Sequence, residues 1–256
     1  MRMVIAAALA IMSTPVFADQ VADLIAGTIK ECRGCDLKGA NFKKADLTGV
    51  DLTGADLTDA TFHRATLRGA ILTGVTAIGT NFNLADLSRA KMDKANFTRS
   101  MFYDAQISGA DLSGTDLTET RMQNSRLTSA KLVGATFDRA LLHDAMINNC
   151  DLSNSTFIST NLERVRATRS KFTGSTMYSV SFGKSDAAGA DFSGTTITQS
   201  DFYGADLRRA KFEGAKVAAN RFTRAATDAN TFVGAELTNN FMTDGRLHAQ
   251  GTSDGE

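Results

Sequence analysis

The sequence predicts an all-β solenoid, a chain coiled around its own side chains with four sides and 20 residues in each coil. Three observations predict it. A large apolar residue recurs at every fifth position, a small residue stands two positions before it, and the large residues sort by type when read at intervals of 20. Each of these constrains a different part of the unit.

The period of five starts at Leu37 and runs through Phe42, Leu47, Leu52, Leu57 and Phe62 to Leu247 without an insertion or deletion. Of its 43 positions, 17 are Leu, 14 Phe, 4 Met, 3 Ile and 1 Val, so 14 of the 16 phenylalanines occupy one register. Ala77, Ala167, Ala187 and Thr227 are the departures. An α-helix cannot use such a pattern, because five residues advance 500° and the apolar side chains would walk around the axis. A straight strand cannot use it either, because an odd period sends alternate large residues to opposite faces. A short extended piece followed by a turn does use it, with the large residue and its small neighbour both pointing inward. Gly, frequent two positions after the large residue, supplies turn freedom, and Asp or Asn just before it is turn chemistry as well.

The number of sides follows from the columns. One column reads Phe42, Phe62, Phe82, Phe102, Met122, Leu142, Leu162, Phe182, Phe202, Phe222, Met242, and another ends Phe172, Phe192, Phe212, Phe232. The column from Leu47 to Leu247 holds no Phe. On the outside, Lys91, Asp111, Lys131, Asp151, Lys171, Asp191 and Lys211 alternate in sign every 20 residues. Coils stack about 4.8 Å apart, where opposite charges favour this register.

The unit Ala45-Asp46-Leu47-Thr48-Gly49, with Ala110-Asp111-Leu112-Ser113-Gly114 and Ala190-Asp191-Phe192-Ser193-Gly194, resembles the repeat of the pentapeptide-repeat family. The resemblance extends over 35–249. It implies a right-handed quadrilateral β-helix, here of about 10–11 coils and roughly 50 Å in length. Its core is filled, so function is expected on the sides, the ends or the irregular spots. Two such spots, 75–80 and 225–230, lack the large inward residue and are expected to be bulged or loosened sides, a binding notch being the sharper reading.

The ends read differently. Val21, Leu24, Ile25 and Ile29 have helical spacing, which predicts a capping helix over 20–31 within a cap-and-linker segment 19–34. Residues 250–256 read as a disordered tail. The family's bare C-terminal coils can pair, so the resemblance makes an end-to-end homodimer through the C-terminal coil an open expectation, with Phe241 in an outward register nearby. Residues 1–18 read as a secretory signal peptide: Met1-Arg2-Met3, an apolar run from Val4 to Met12, Pro15, and small residues before a cleavage point after Ala18. A membrane anchor would need about 20 apolar residues. The expected location is therefore periplasmic or secreted, with no integral membrane segment in the mature chain. In that oxidising setting Cys32 and Cys35 are read as a local disulfide, and Cys150 as a buried free thiol.

Lys plus Arg and Asp plus Glu are 28 each. Neutrality argues against nucleic acid as a partner, while leaving a local patch open. No catalytic, cofactor or metal site is expected: His63 and His143 lie four coils apart, His248 stands at the last repeat, and no nucleophile accompanies His143 and Glu163. One surface feature is unusual. Met101, Tyr103, Leu141, His143 and Met146 replace polar residues at neighbouring outward positions, with Arg121 among them. They form a candidate interaction patch, with scattered substitution in a tolerant repeat as the plainer reading. The expected function is that of an exported, non-enzymatic rod serving as an interaction or scaffold module for an unknown protein partner. The alternative, a DNA-mimicking gyrase-binding protein like some members of the family, is disfavoured by neutral charge and the export signal. A β-helical polysaccharide-acting enzyme is weaker still, since the repeat carries no inserted loops.

Overall fold

The structure, a computed structural model, describes residues 17–248. The 1–18 leader lies almost wholly outside the described residues, as does the 250–256 tail.

The unit around Leu47 shows why five residues suffice for one side. Its N–H donates to the Thr66 carbonyl one coil on at 2.7 Å, and the Gly49 N–H to the Arg68 carbonyl at 2.9 Å. The Val50 N–H closes the turn onto the Leu47 carbonyl at 3.1 Å, and the Asp51 N–H reaches back to the Lys30 carbonyl at 2.8 Å. The remaining donor, the Thr48 N–H, is accepted by Asp46 Oδ1 at 3.0 Å. Every backbone donor of the side is thereby satisfied, which is the physical reason for Asp or Asn before the large residue. The residue two after the large one has a positive φ at every unit from Gly34 to Arg224. Glycine takes that conformation without strain, which accounts for its frequency there. At Gly174 a Cβ would also stand 2.6 Å from Asn154 Oδ1, so the Asn154 side chain would have to turn aside.

Parallel bridges link each residue to its counterpart 20 positions on, from Glu31↔Asp51 to Arg221↔Phe241. The 210 residues between Glu31 and Phe241 make about ten and a half coils. Inside, the phenylalanine columns stack face to face. Phe42, Phe62, Phe82 and Phe102 are 4.9–5.0 Å apart between centroids, and Phe172, Phe192 and Phe212 repeat the arrangement at 4.9 Å, with Phe232 tilted by 42° at the end of the column. Neighbouring columns meet edge to face, as in Phe182 against Phe192 at 5.9 Å. Where the small inward residue is polar, it donates either to the coil before, as Thr80 Oγ1 does to Leu57 O at 2.7 Å and Ser155 Oγ to Leu132 O at 2.8 Å, or within its own unit, as Thr115 Oγ1 does to Leu112 O at 2.7 Å.

One side departs from this pattern in its C-terminal half. Strands β1 (Thr156–Ile158), β2 (Thr176–Tyr178), β3 (Thr196–Thr198), β4 (Lys216–Ala218) and β5 (Glu236–Thr238) form a parallel sheet in 20-residue register. Outward Thr156, Thr176 and Thr196 supply β-branched character. The turns here are wider, and side chains of the following coil replace the missing turn bond. Ser200 N–H donates to Asn220 Oδ1 at 2.7 Å and Asn220 N–H to Asn240 Oδ1 at 2.9 Å. Asn220 Nδ2 and Asn240 Nδ2 donate to the Ile197 and Val217 carbonyls at 2.9 and 2.8 Å.

Four expectations change. The segment 75–80 is not loosened: Thr76 keeps its bridges to Asp56 and Asn96, and Ala77 is buried. Segment 225–230 does leave the pattern, and Phe232 beyond it is only half-buried. The capping helix α1 spans Phe17–Ala26 rather than 20–31. Gly27, at φ 71°, stops it: Gly27 N–H donates to Leu24 O at 3.2 Å and Thr28 N–H to Asp23 O at 3.0 Å, a Schellman closure. Of its apolar residues Leu24 plugs the first coil, while Ile25 faces outward. At the other end the coil does not continue through Leu247. Strand β6 (Asn240–Phe241) pairs antiparallel with β7 (Leu247–His248). The turn signal Asp244-Gly245 folds the chain back, with Gly245 at φ 81° and the Met242 N–H on the Arg246 carbonyl at 2.8 Å. In the alternating outer column every neighbour is in register, but only Lys131 and Asp111 come within 4.0 Å, at 3.6 Å.

Candidate interaction surfaces

The junction of cap and coil holds Cys32 and Cys35, which are joined by a disulfide with Cα atoms 5.4 Å apart. Next to it Arg33 donates from Nε to the buried Asp51 carboxylate at 2.8 Å. Cys150 lies buried in the inward small position, its Sγ 3.0 Å from the Leu127 carbonyl. Burial pushes its thiol up to about 12, so it stays neutral and unreactive.

The residues of the candidate patch fall on two sides of the rod. Met101 and Leu141 share one outward column and flank Arg121, in the bridge order Met101↔Arg121↔Leu141. Tyr103 and His143 stand at the corner beside that column, and Tyr103 is 46% exposed. Met146 is around the corner, between Arg126 and Arg166. The grouping is therefore an apolar corner interrupted by Arg121, with Met101, Leu141, His143 and Met146 half-buried. Glu163 does not engage His143; it accepts from Ser181 Oγ at 3.2 Å and lies 3.6 Å from Arg164 Nη1. Among the described residues no group of three His, Cys, Asp or Glu side chains is placed to hold a metal ion. None of the described helices is long and apolar enough to cross a membrane.

Two of three further surface features went unnoticed in the sequence, and of the one at the C-terminal end only Phe241 was read there. Ile158 and Tyr178 are exposed on adjacent strands β1 and β2, at the position where the unit expects a polar residue. The most exposed large apolar residues, Val233 at 64%, Leu247 at 54% and Phe241 at 48%, all lie in the last coil and its hairpin. Tyr203 is clasped by two arginines, with Arg221 4.9 Å over its ring and Arg224 Nη1 donating to its hydroxyl at 2.7 Å. The first two were legible as departures from the unit; the third depends on which coils are neighbours.

Pentapeptide repeats match this sequence in eight copies over residues 35–74, 80–118, 105–144, 120–157, 137–174 and 175–214. The chain belongs to the pentapeptide-repeat family. Among solved structures this pentapeptide-repeat chain is similar to HetL, involved in heterocyst differentiation regulation in the cyanobacterium Nostoc sp. strain PCC 7120. The TM-score is 0.64 at 21% identity, covering 90% of this chain and 98% of HetL, a likeness of fold. A pentapeptide repeat protein of the Arabidopsis thaliana thylakoid lumen matches at 29% identity over 38% of this chain and 68% of its own, with a TM-score of 0.38. QnrB1, a plasmid-mediated fluoroquinolone resistance protein, matches at 23% identity over 81% of this chain and 91% of its own, with a TM-score of 0.32. No curated protein matches the sequence.

Proposed function

We propose that this pentapeptide-repeat chain is an exported, non-enzymatic rod that presents its sides and ends to a protein partner. The observation that carries the reading is the packed interior. From Leu37 to Phe222 the large inward side chains are buried without exception, so the coil has no internal space for a substrate. What is left for recognition is the outer surface, and the apolar corner of Met101, Tyr103 and Leu141 is the part of it that breaks the polar rule of the repeat. The signal-like residues 1–18 support export. Pairing of two copies through the apolar terminal hairpin belongs to the same reading.

The test is crosslinking and affinity capture from the exported compartment of the native cell, with the wild-type chain and with a Met101→Ser, Tyr103→Ser, Leu141→Ser variant. The wild type is expected to retain a specific partner that the variant loses, at unchanged thermal midpoint. Equal capture by both removes the corner from consideration, and a chain found uncleaved in the cytoplasm overturns the exported part of the reading.

A further inference from the structure

A second surface feature has the chemistry of a ligand site. At one corner of the rod the turn residues of successive coils are Asn149, Arg169, Gly189 and Arg209. Gly189 carries no side chain and Ala188 beside it only a methyl, so the corner is notched between two arginines. The concavity measures about 430 Å³ and is walled by Thr168, Arg169, Ala188, Gly189 and Arg209. The two arginines stand two coils apart, about 9.6 Å along the rod, with the notch at the midpoint.

The electrostatics around it are uneven. Arg169 donates from Nε to Asn149 Oδ1 at 3.2 Å, which orients the guanidinium and leaves its Nη donors unused. Neither Arg169 nor Arg209 has an ion pair among the described residues. Asp228 is occupied with the Arg209 backbone N–H at 2.6 Å. Of the two carboxylates in the adjoining column, Asp206 is taken by Arg208, whose Nε lies 2.9 Å from Oδ1, and Asp186 Oδ1 accepts the Ala188 N–H at 3.3 Å. Two guanidinium groups with no carboxylate oxygen within 4.0 Å thus flank one dent in the surface of a chain neutral as a whole, with Asp206 and Asp228 near enough to Arg209 to feel its charge.

We propose that this notch binds a phosphate group, bridged between the guanidinium groups of Arg169 and Arg209 over the bare floor of Gly189. Phosphate suits the site better than carboxylate. Two planar forks approaching one group from different sides need at least three acceptor oxygens between them, which the terminal oxygens of a phosphate group supply, whereas a carboxylate has two in all. The inference stands apart from the partner-binding reading above, since it concerns other residues and a small ligand group.

The experiment is titration calorimetry of the full chain, with amide chemical shifts followed in parallel. The probes are inorganic phosphate, vesicles containing phosphatidate, and phosphatidylcholine vesicles as control. The wild type is expected to bind a phosphate probe saturably, with shifts centred on residues 169, 189 and 209. Arg169→Ala with Arg209→Ala should weaken binding at least about tenfold, because charge-assisted contacts are the strong ones. Ala188→Glu, at a turn position with ordinary φ, should do the same by setting a carboxylate on the notch floor, with the thermal midpoint unchanged. Binding of inorganic phosphate points to a soluble phosphate compound, and binding only of phosphatidate vesicles to a lipid headgroup; either supports the site. No saturable binding of any phosphate probe, equal binding to phosphatidylcholine vesicles, or undiminished binding in both variants overturns it.

Discussion

Asn220 does with one side chain what a tight turn does with the backbone. Its Oδ1 takes the Ser200 N–H and its Nδ2 supplies the Ile197 carbonyl, both deep inside the wall. Asn220→Ala leaves both groups buried and unpaired, which should cost about 2–4 kcal/mol in urea unfolding. Asn220→Ser should recover part of the loss, because Ser175 Oγ already makes the equivalent bond to the Leu152 carbonyl at 2.8 Å. A cost below about 0.5 kcal/mol for the alanine variant would show that water or the Asn240 side chain substitutes freely. Little of this was readable in advance. The inward small position holds Ala, Ser, Thr or Asn with equal ease, and whether its polar atom replaces a turn bond depends on the turn, which a five-residue motif does not specify.

At the level of elements, the period of five was enough to place every side from Leu37 to Phe222, because each unit closes its own hydrogen bonds and needs nothing distant to decide it. The ends escaped that logic. Extending the period to Leu247 ignored Asp244-Gly245, a hairpin signal that prevails once no further coil is available to pair with. In the same way Gly27 sets the end of α1 more firmly than the apolar spacing of Ile29. The β6–β7 hairpin leaves Phe241 and Leu247 paired and exposed at the tip of the rod. If two copies join there, sedimentation equilibrium of the wild type should show a dimer that Phe241→Ser with Leu247→Ser converts to monomer. A wild-type monomer at high concentration would dismiss the end-to-end contact.

For the molecule as a whole, stability is distributed over many nearly identical turns, and so is its response to acid. The Thr48 hydroxyl and N–H hold the Asp46 carboxyl below the usual carboxylate range. Arg164 does so for Asp144, and Arg208 for Asp206. At Asp51 burial works the other way but is outweighed by the Thr53 hydroxyl and N–H and by Arg33. Carboxyl groups whose folded values are lowered bind fewer protons in the folded than in the unfolded chain. Their contribution is complete above the ordinary value of 3.8 and disappears as pH falls through the lower folded values. The thermal midpoint should therefore hold steady from pH 7 to about pH 5 and fall steeply below about pH 4. A midpoint that is flat to pH 2 would mean that these carboxylates bind their partners no better in the folded chain.

The 20-residue register has a consequence for how such a protein can change in evolution. Copying one complete coil adds a storey and leaves every downstream side chain on its original wall. Copying a single unit between them instead swings everything beyond it by a quarter turn, so that the Arg169–Arg209 notch, now one corner on from the Met101–Leu141 corner, would take a new bearing relative to it. The rod is free to grow in height only in quanta of four units, and the relative bearing of its two surface features records whether it has kept to them.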